Sequence, residues 1–374
     1  MTPPVGPRTP GGSDRVTAII PTHNRAHLVP RAIDSVFAQL EPGDELIVVD
    51  DGSSDDTPHV LAQYGTNIRI VRLRGTGVGP ARNAGVRDAR NPLIAFLDDD
   101  DEWLPDKLAR QRALMAGHPN ILCCFTDFAV QSADGRVDHR FIAASHRQYE
   151  DPWPSLKCFL GDPVPLSSLA SLPSDRLDCP VYLGDFSRAM LERCYVWICT
   201  AVVRRDALLH APFAEDLDIH EEWVSVARMS RTGPMACLDV DTALNHGHSG
   251  ARMTGRSPLG SASEARSRVA MRERLWGSDV DFLHRYGQRY QELLEQDRKV
   301  LVRSLLAAGR RRESEEQLAQ FAHAPMSLRV AAAVPTPMLH SASTLWKAGS
   351  RGLIIVRTWI AALIHWLHDI PFEF

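Results

Sequence analysis

The sequence lacks the cysteine pattern of a disulfide-stapled protein or of a structural zinc site. Its 374 residues contain seven cysteines, an odd number, and none of them forms a C-x-x-C pair. Cys123 and Cys124 are adjacent, and the other five are scattered along the chain. Scattered cysteines in a long chain favour a reducing compartment over an oxidising one.

The sequence also has no excess of positive charge, and we expect no secretory leader. Lys and Arg number 42 against 46 Asp and Glu, and this net charge of −4 argues against non-specific binding to nucleic acids. The N-terminal MTPPVGPRTPGGSDR has no apolar segment of the kind that a signal peptide needs. We therefore expect a cytoplasmic protein with a flexible tail over residues 1–13.

The overall composition is that of a globular protein. Apolar residues make up 44% of the chain and charged residues 24%, which excludes whole-chain disorder and a polytopic membrane protein. A chain of this length exceeds one ordinary core, so two or more packing units are expected.

The first hundred residues alternate between buried strands and amphipathic helices. Four apolar segments rich in β-branched residues predict strands, namely VTAII (16–20), ELIVV (45–49), IRIVRL (68–73) and LIAFL (93–97). Helical patterns separate them, the first of which opens at Asn24. This rhythm predicts an α/β fold, a Rossmann-type and mainly parallel sheet with helices on both faces. Ligands bind such sheets at the carboxyl edge, where polar residues follow these strands.

The remainder of the chain is less regular. ILCCFTDFAV (121–130) and VWICTAVVRR (196–205) are predicted as strands, and residues 135–185 as a loop-rich insertion. From about 259 the pattern becomes helical. The predicted domains are therefore the tail (1–13), an α/β domain (14–258) and a helical C-terminal region (259–374).

A run of four aspartates, Asp98 to Asp101, follows the fourth predicted strand directly. In an extended segment Asp98 and Asp100 share a face, and paired carboxylates suit Mg²⁺ or Mn²⁺. A calcium loop would need glycine where Trp103 stands, and a phosphatase motif would need Thr or Val in place of Glu102. The run therefore predicts a magnesium or manganese site.

The glycine-rich GTGVGPARNAG (75–85) does not fit a dinucleotide-binding loop. Pro80 occupies the position of the third glycine in G-x-G-x-x-G. The glycines instead allow the backbone to approach a ligand closely, and Arg82 is available for a phosphate group.

These segments together resemble a known family. IIPTHNR, ELIVVDDGSSDDT, GVGPARNAG and IAFLDDDDEWLPDKL, in this order and spacing, are similar to family 2 glycosyltransferases of the GT-A fold. The segment AVVRRDALLHAPFAEDLDIHEEWVSVARM resembles the family's acceptor-side segment, and NHGHSGARMT its closing loop. The resemblance covers residues 15–255, about two thirds of the chain.

The resemblance implies roles for particular residues. It implies nucleotide-sugar binding by residues of the first three loops and of the aspartate run: Pro21, Thr22, Asn24, Asp50, Asp51, Arg82, Asp98 and Asp99. It implies metal binding by Asp98, Asp100 and His248, and catalysis by Glu222 with its neighbour Glu221. The family's usual Glu-Asp is Glu-Glu here, which lengthens the catalytic base by one methylene. Glu215 and Asp216 are rivals for the role of base.

The implied activity is an inverting, metal-dependent transfer of a sugar from a nucleoside diphosphate sugar to an acceptor hydroxyl. Such a hexosyltransferase needs one base for the acceptor proton, because the metal stabilises the leaving diphosphate. UDP-sugars are the favoured donors, Mn²⁺ or Mg²⁺ the cofactor, and a glycan, lipid-linked or small-molecule acceptor is left open. The alternatives are a sugar nucleotidyltransferase, which would need a glycine-rich basic loop where PTHNRAH stands, and an inactive nucleotide-sugar-binding module.

Two further features have a functional and a structural interpretation. Trp197 and Trp223 could stack on a sugar, but we expect both to be buried. The segment LIIVRTWIAALIHWLHDI (353–370) could make peripheral membrane contact, but its central arginine disfavours a spanning helix, and packing against the helical region is favoured.

Overall fold

The computed structural model describes residues 14–132, 134–148, 154–217, 219–246 and 258–321. The strands are β1 (Val16–Thr22), β2 (Glu45–Asp50), β3 (Arg69–Arg72), β4 (Leu93–Phe96), β5 (Asp101–Trp103), β6 (Cys123–Gln131), β7 (Val137–Asp138), β8 (Val164–Pro165), β9 (Pro180–Gly184), β10 (Val202–Arg204) and β11 (Met235–His246). The helices are α1 (Val29–Phe37), α2 (Thr57–Ala62), α3 (Val78–Asp88), α4 (Lys107–Gly117), α5 (Phe141–Gln148), α6 (Lys157–Leu160), α7 (Ser187–Glu192), α8 (Arg205–His210), α9 (Glu221–Ser230), α10 (Pro258–Trp276), α11 (Val280–Ala307) and α12 (Arg311–Leu318).

One mixed sheet organises the first of two compact units, which divide after Gly250. Its main path runs β3-β2-β1-β4-β10-β6-β11-β9-β8. β3, β2, β1 and β4 are mutually parallel, while β10 lies antiparallel between β4 and β6. Two antiparallel steps make β6 parallel to β4, so β4 and β6 end at the same edge of the sheet. The predicted α/β class is confirmed.

The core of the sheet consists of the predicted apolar segments. Every residue of β1 and β4 is buried, as their continuous β-branched and apolar composition requires. β1 pairs with β2 from Thr17 to Thr22, and the last pair joins Thr22 to Asp50. This register brings the loops after β1 and β2 side by side at the carboxyl edge.

The second unit contains the predicted C-terminal helices α10, α11 and α12. Asp297 of α11 is 5% exposed and pairs with two arginines of α10. Arg268 Nε lies 2.8 Å from its Oδ1, and Arg272 Nε lies 2.6 Å from its Oδ2. This buried ionic group joins the two helices. Removing either the aspartate or the arginines would leave an uncompensated buried charge.

Some expectations need correction or fall outside the description. The helix predicted from Asn24 begins at Val29, because residues 25–28 form a turn in which the Leu28 N–H donates to the Arg25 carbonyl. Residues 198–200 form a 3₁₀ turn, so the strand predicted over 196–205 is limited to β10. The predicted insertion over 135–185 contains only short elements among its described residues. The tail 1–13 and the segment 353–370 lie outside the described residues, and the predicted domain boundary at 258/259 stays a prediction.

Among the described residues, none of the helices combines the length and apolarity needed to cross a bilayer.

Candidate active site

Asn24 and Asp50 fix the loops that follow β1 and β2. Asn24 adopts a positive φ of 55°, and its Oδ1 accepts hydrogen bonds from the backbone N–H groups of Ser54 (2.7 Å) and Asp55 (3.2 Å). Asp50 Oδ1 accepts from the Ser53 N–H at 2.9 Å. Two residues that the resemblance assigns to the nucleotide thus also shape the loops around it.

Asp51 organises the start of α3. Its Oδ1 accepts from the backbone N–H (2.8 Å) and hydroxyl (3.0 Å) of Thr76, and its Oδ2 from the N–H of Gly77 (2.7 Å). Gly77 has a φ of 97°, a conformation that favours glycine. Thr76 and Gly77 were not among the predicted site residues, although the G-T-G of the glycine-rich segment was their signal.

α3 carries a docking edge for the segment that precedes α9. Asn83 Nδ2 donates to the Phe213 carbonyl at 3.0 Å, and the Phe213 N–H donates back to Asn83 Oδ1 at 3.0 Å. One turn earlier, a Cβ on Gly79 would lie 2.3 Å from the Ala214 carbonyl oxygen, so only glycine allows this approach. The A-R-N segment of α3 and the nearby Gly79 therefore hold the segment that precedes α9.

Arg82, between these contacts, links the two acidic parts of the site. It is 5% exposed, its Nη2 lies 2.6 Å from Asp98 Oδ1, and its Nη1 pairs with Glu221 Oε1. Burial opposes the charged form, but the charges of Asp98, Glu221 and Glu222 outweigh it and raise the pKa of Arg82. One buried guanidinium thus brings the end of β4 and the start of α9 together.

The backbone of the aspartate run and of the residues after it is held by a polar stripe, which consists of Arg31, Ser35 and Gln39. Arg31 Nη2 donates to the Asp100 carbonyl at 2.5 Å, Ser35 Oγ accepts from the Trp103 N–H at 3.1 Å, and Gln39 Nε2 donates to the Leu104 carbonyl at 2.9 Å. These three residues are spaced by four, so they share one face of the helix and its C-terminal extension. The stripe fixes the backbone on which the carboxylates stand.

Because Gln39 also accepts from the Leu108 N–H at 3.2 Å, its truncation removes partners from two backbone groups. We expect Gln39→Ala to lower the free energy of unfolding by about 1–2 kcal/mol and to raise the Mn²⁺ concentration needed for activity severalfold. Thermal unfolding and a metal titration would measure the two effects. The exposed Gln63 supplies the control, since Gln63→Ala should change neither; equal effects of both variants would contradict the role of the stripe.

The run continues into β5, which pairs with β11. Asp101 is buried and its Oδ1 accepts from Asn245 Nδ2 at 2.8 Å, while His246 Nε2 lies 3.2 Å from Glu102 Oε2. His248, the predicted third metal ligand, lies outside the described residues. The ring of His246 also contacts Gln131, with Nδ1 2.9 Å from Gln131 Oε1.

The donor set of the run fits a hard divalent cation. The first three aspartates of the run are intermediate in exposure. Burial raises the pKa of Asp99 to about 7, and the negative charges of Asp100 and Asp98 add to this effect. Concentrated carboxylate charge of this kind is relieved by a cation. Within the described ranges no group of three or more His, Cys, Asp or Glu side chains is arranged to hold a metal. Asp98 and Asp100 as metal ligands stay a prediction. They lie in a turn, closed by the Asp101 N–H on the Asp98 carbonyl at 3.1 Å, and not in the extended segment that was expected.

α9 begins with the two candidate catalytic carboxylates. His220, with a φ of 69°, precedes Glu221 and Glu222 in the first turn. Burial and the adjacent charge of Glu221 raise the pKa of Glu222 well above its usual range. Glu221 is bound to Arg82, so Glu222 is the better placed of the two to exchange a proton. Of the rivals, Glu215 accepts from Asn83 Nδ2 at 3.0 Å and is half exposed.

The two tryptophans differ. Trp223 is 2% exposed, as expected, and its Nε1 donates to the Met190 carbonyl at 2.8 Å. Trp197 is 41% exposed, so the expectation that it is buried was wrong. Its neighbours in sequence, Val196 and Ile198, are buried in its place.

The sequence of this region matches a known family. Residues 17–167 match the family model described as Glycosyl transferase family 2. This part of the chain is therefore similar to glycosyl transferase family 2. The match contains the β1, β2 and β4 loops and α3, and it ends before α9.

Similar proteins carry related names. The chain is 35% identical over 133 residues (34% of its length, 52% of the relative's) to the putative teichuronic acid biosynthesis glycosyltransferase TuaG of Bacillus subtilis (strain 168). It is 39% identical over 148 residues (38% of its length, 40% of the relative's) to the succinoglycan biosynthesis protein ExoO of Rhizobium meliloti (strain 1021). The chain thus spans about half or less of these relatives' length.

Solved structures with a similar trace include S. aureus TarS 1-349 in complex with UDP-GlcNAc, at a TM-score of 0.49 and 18% identity, over 78% of this chain and 72% of that one. A second is the mannosyltransferase PcManGT from Pyrobaculum calidifontis in complex with GDP-Man and Mn²⁺, at a TM-score of 0.49 and 16% identity, over 97% and 89% of the two chains.

Proposed function

We propose that the protein is an inverting, metal-dependent glycosyltransferase that moves a sugar from a nucleoside diphosphate sugar to an acceptor hydroxyl. The observation that carries the proposal is the buried Arg82, which pairs with Asp98 on the donor side and with Glu221 beside the candidate base. A site for group transfer needs the leaving-group side and the proton-accepting side within one small space. Arg82 creates that proximity between residues far apart in sequence.

The roles follow from the chemistry of each group. Glu222 takes the proton of the acceptor hydroxyl, and Asp98 and Asp100 would hold Mn²⁺ or Mg²⁺. The metal, when bound, neutralises the charge that develops on the departing diphosphate, so no protonated acid is needed. Arg82 was predicted to contact the nucleotide, but it is buried and both of its Nη atoms pair with carboxylates, so we assign it, with Glu221, the positioning of these groups. Asp51 shapes the neighbouring loop through Thr76 and Gly77.

The donor and acceptor are proposed more coarsely. A UDP-sugar is favoured by the resemblance of the four N-terminal motifs. The relatives named for teichuronic acid and succinoglycan biosynthesis support a glycan or glycolipid product. All seven cysteines are free, which supports a cytoplasmic location. Peripheral membrane contact through 353–370 stays a prediction.

Thermal unfolding with UDP, GDP, CDP and dTDP, each with and without Mn²⁺, tests the donor class. A ligand at about 100 times its dissociation constant stabilises the native state by about 2.7 kcal/mol, so one nucleotide should raise the Tm by several degrees. We expect that shift with UDP and only in the presence of Mn²⁺. Uridine with Mn²⁺ is the control that lacks the diphosphate. The proposal fails if no nucleotide shifts the Tm under either condition.

A further inference from the structure

Trp197 is placed on the acceptor side of the site by the strand order. The loops after β1 and β2, which are the proposed nucleotide loops, lie on one side of β4 in the sheet. β6 lies on the other side of β4, beyond β10, and ends at the same edge. Trp197 stacks on Phe128 near the carboxyl end of β6, with ring centroids 4.7 Å apart. The aspartate run at the end of β4 therefore separates Trp197 from the nucleotide loops.

The segment that carries Trp197 is anchored to both halves of the site. Trp103, two residues after Asp101, donates its indole N–H to the Cys199 carbonyl at 3.0 Å. Trp223, directly after Glu222, donates its indole N–H to the Met190 carbonyl at 2.8 Å. Residues 190–199 thus run from the neighbour of the candidate base to the neighbour of the aspartate run.

The backbone at Trp197 is also fixed locally. Its carbonyl accepts from the Thr200 N–H (2.9 Å) and the Thr200 hydroxyl (2.7 Å). The Thr200 carbonyl in turn accepts from Gln111 Nε2 at 2.8 Å and Lys107 Nζ at 3.1 Å, both on α4. A side chain on such a backbone presents a pre-organised surface, which lowers the entropic cost of binding a ligand.

Trp197 stands out from its surroundings by its exposure. Residues 195–200 are otherwise buried, and Trp197 is 41% exposed. It is the one aromatic side chain among the large exposed apolar residues of the described ranges. Phe128 supports it and also contacts Phe141 of α5, with centroids 5.0 Å apart. The stack leaves indole surface open to a ligand.

We propose that Trp197 is a stacking platform for a sugar ring of the acceptor, so that the acceptor is a glycoside or glycan and not a simple alcohol. This inference rests on the proposed function. The C–H groups on one side of a pyranose ring form an apolar face that matches the size of an indole and its electron-rich surface. A ring held there would lie on the same side of the site as the base, where the acceptor hydroxyl has to be placed.

Saturation-transfer NMR tests the platform directly. The full chain, with UDP and Mg²⁺, is mixed with the methyl glycosides of glucose, galactose, mannose and N-acetylglucosamine, and with glycerol as a non-cyclic polyol. We expect saturation of the C–H protons of at least one glycoside and none of glycerol. Trp197→Ala should weaken binding of that glycoside about tenfold, and Trp197→Phe should recover part of it. Leu209→Ala removes an equally exposed apolar side chain (43%) on α8 and should leave binding unchanged.

The inference is overturned if the wild-type protein binds none of the glycosides, or if Trp197→Ala binds them as well as the wild type does. Hydrolysis of nucleotide sugars with Mn²⁺ in the absence of acceptor reports on the proposed function separately. Hydrolysis by the wild type without glycoside binding would remove the platform and keep the glycosyltransferase. Glycoside binding without hydrolysis of any nucleotide sugar would keep the platform and remove the proposed reaction.

Discussion

Asp100→Ala is expected to reduce metal-dependent turnover by about a thousandfold or more while the protein folds normally. A bound divalent cation supplies several kcal/mol of stabilisation to a developing diphosphate charge, and every 1.36 kcal/mol corresponds to a tenfold change in rate. Asp100 is only partly buried, and its backbone carbonyl keeps the bond from Arg31 after truncation. The loss should therefore affect chemistry and not stability.

The measurement is nucleotide-sugar hydrolysis across a Mn²⁺ titration, together with the melting temperature of each variant. Asp162→Ala removes an exposed carboxylate that pairs only at the surface with Lys157, and it should leave both quantities unchanged. The Mn²⁺-dependent part of the UDP thermal shift should disappear in Asp100→Ala. Full activity of Asp100→Ala at any metal concentration would end the assignment of this residue to the metal.

The parallel half of the sheet could be predicted from the sequence because local patterns determine it. β1, β2, β3 and β4 are short apolar segments, and their observed bounds lie within two residues of the predicted ones. β-branched residues between turn signals specify a buried strand whatever the partner. The same holds for α10 to α12, whose apolar spacing and helix-forming composition are local properties.

β5 and β11 were not predicted, because their formation depends on a distant partner. β5 is only three residues long, and its Asp101 and Glu102 have no strand propensity of their own. It forms because Asp101 pairs with Asn245 across the sheet. The strand predicted over 196–205 failed for a related reason, since the Thr200 side chain closes a turn onto the Trp197 carbonyl.

The candidate site also combines features that local sequence determines with features that depend on distant residues. The acidic run and the glycine-rich segment could be read from residue types, whereas the bridge from Arg82 to Glu221 spans 139 positions and is a property of the fold. Asn24 and Asp51 show a further limit. A pattern indicates that a polar side chain matters, but only the contacts show that Asn24 joins two loops and that Asp51 holds the residues directly before α3.

In the proposed reaction, Arg82 couples the donor side of the site to the acceptor side. Its guanidinium is shared by Asp98 and Glu221. If Asp98 held a cation, the pairing with Glu221 and the nearby charge of Glu222 would still compensate this buried guanidinium. We therefore expect Glu221 to act as a positioning residue, whose loss affects folding stability as well as rate.

Because Glu221 should affect stability as well as rate, substitution of Glu222 is the clearer test of which residue is the base. We expect Glu222→Gln to reduce transfer by about a hundredfold to ten-thousandfold, the usual contribution of a general base, with no loss of melting temperature. Glu221→Gln should instead lower the melting temperature, because it leaves Arg82 with one carboxylate fewer. Glu215→Gln, at the exposed rival, should retain transfer. Glu222→Asp shortens the side chain by one methylene and should retain part of the rate.

The pH dependence follows from the raised pKa of Glu222, which burial causes and the charge of Glu221 increases. The base works only when ionised, so kcat/KM of the wild type should rise with pH through this raised pKa, and the residual activity of Glu222→Gln should lack that rise. The folded protein also keeps this carboxyl protonated at pH values where the unfolded chain has lost the proton. Stability therefore falls as the pH rises above the ordinary glutamate range, and Glu222→Gln should lose less stability over the same interval. A wild-type rate that is flat with pH, or a Glu222→Gln variant that transfers sugar at the wild-type rate, would move the role of base to a neighbouring carboxylate.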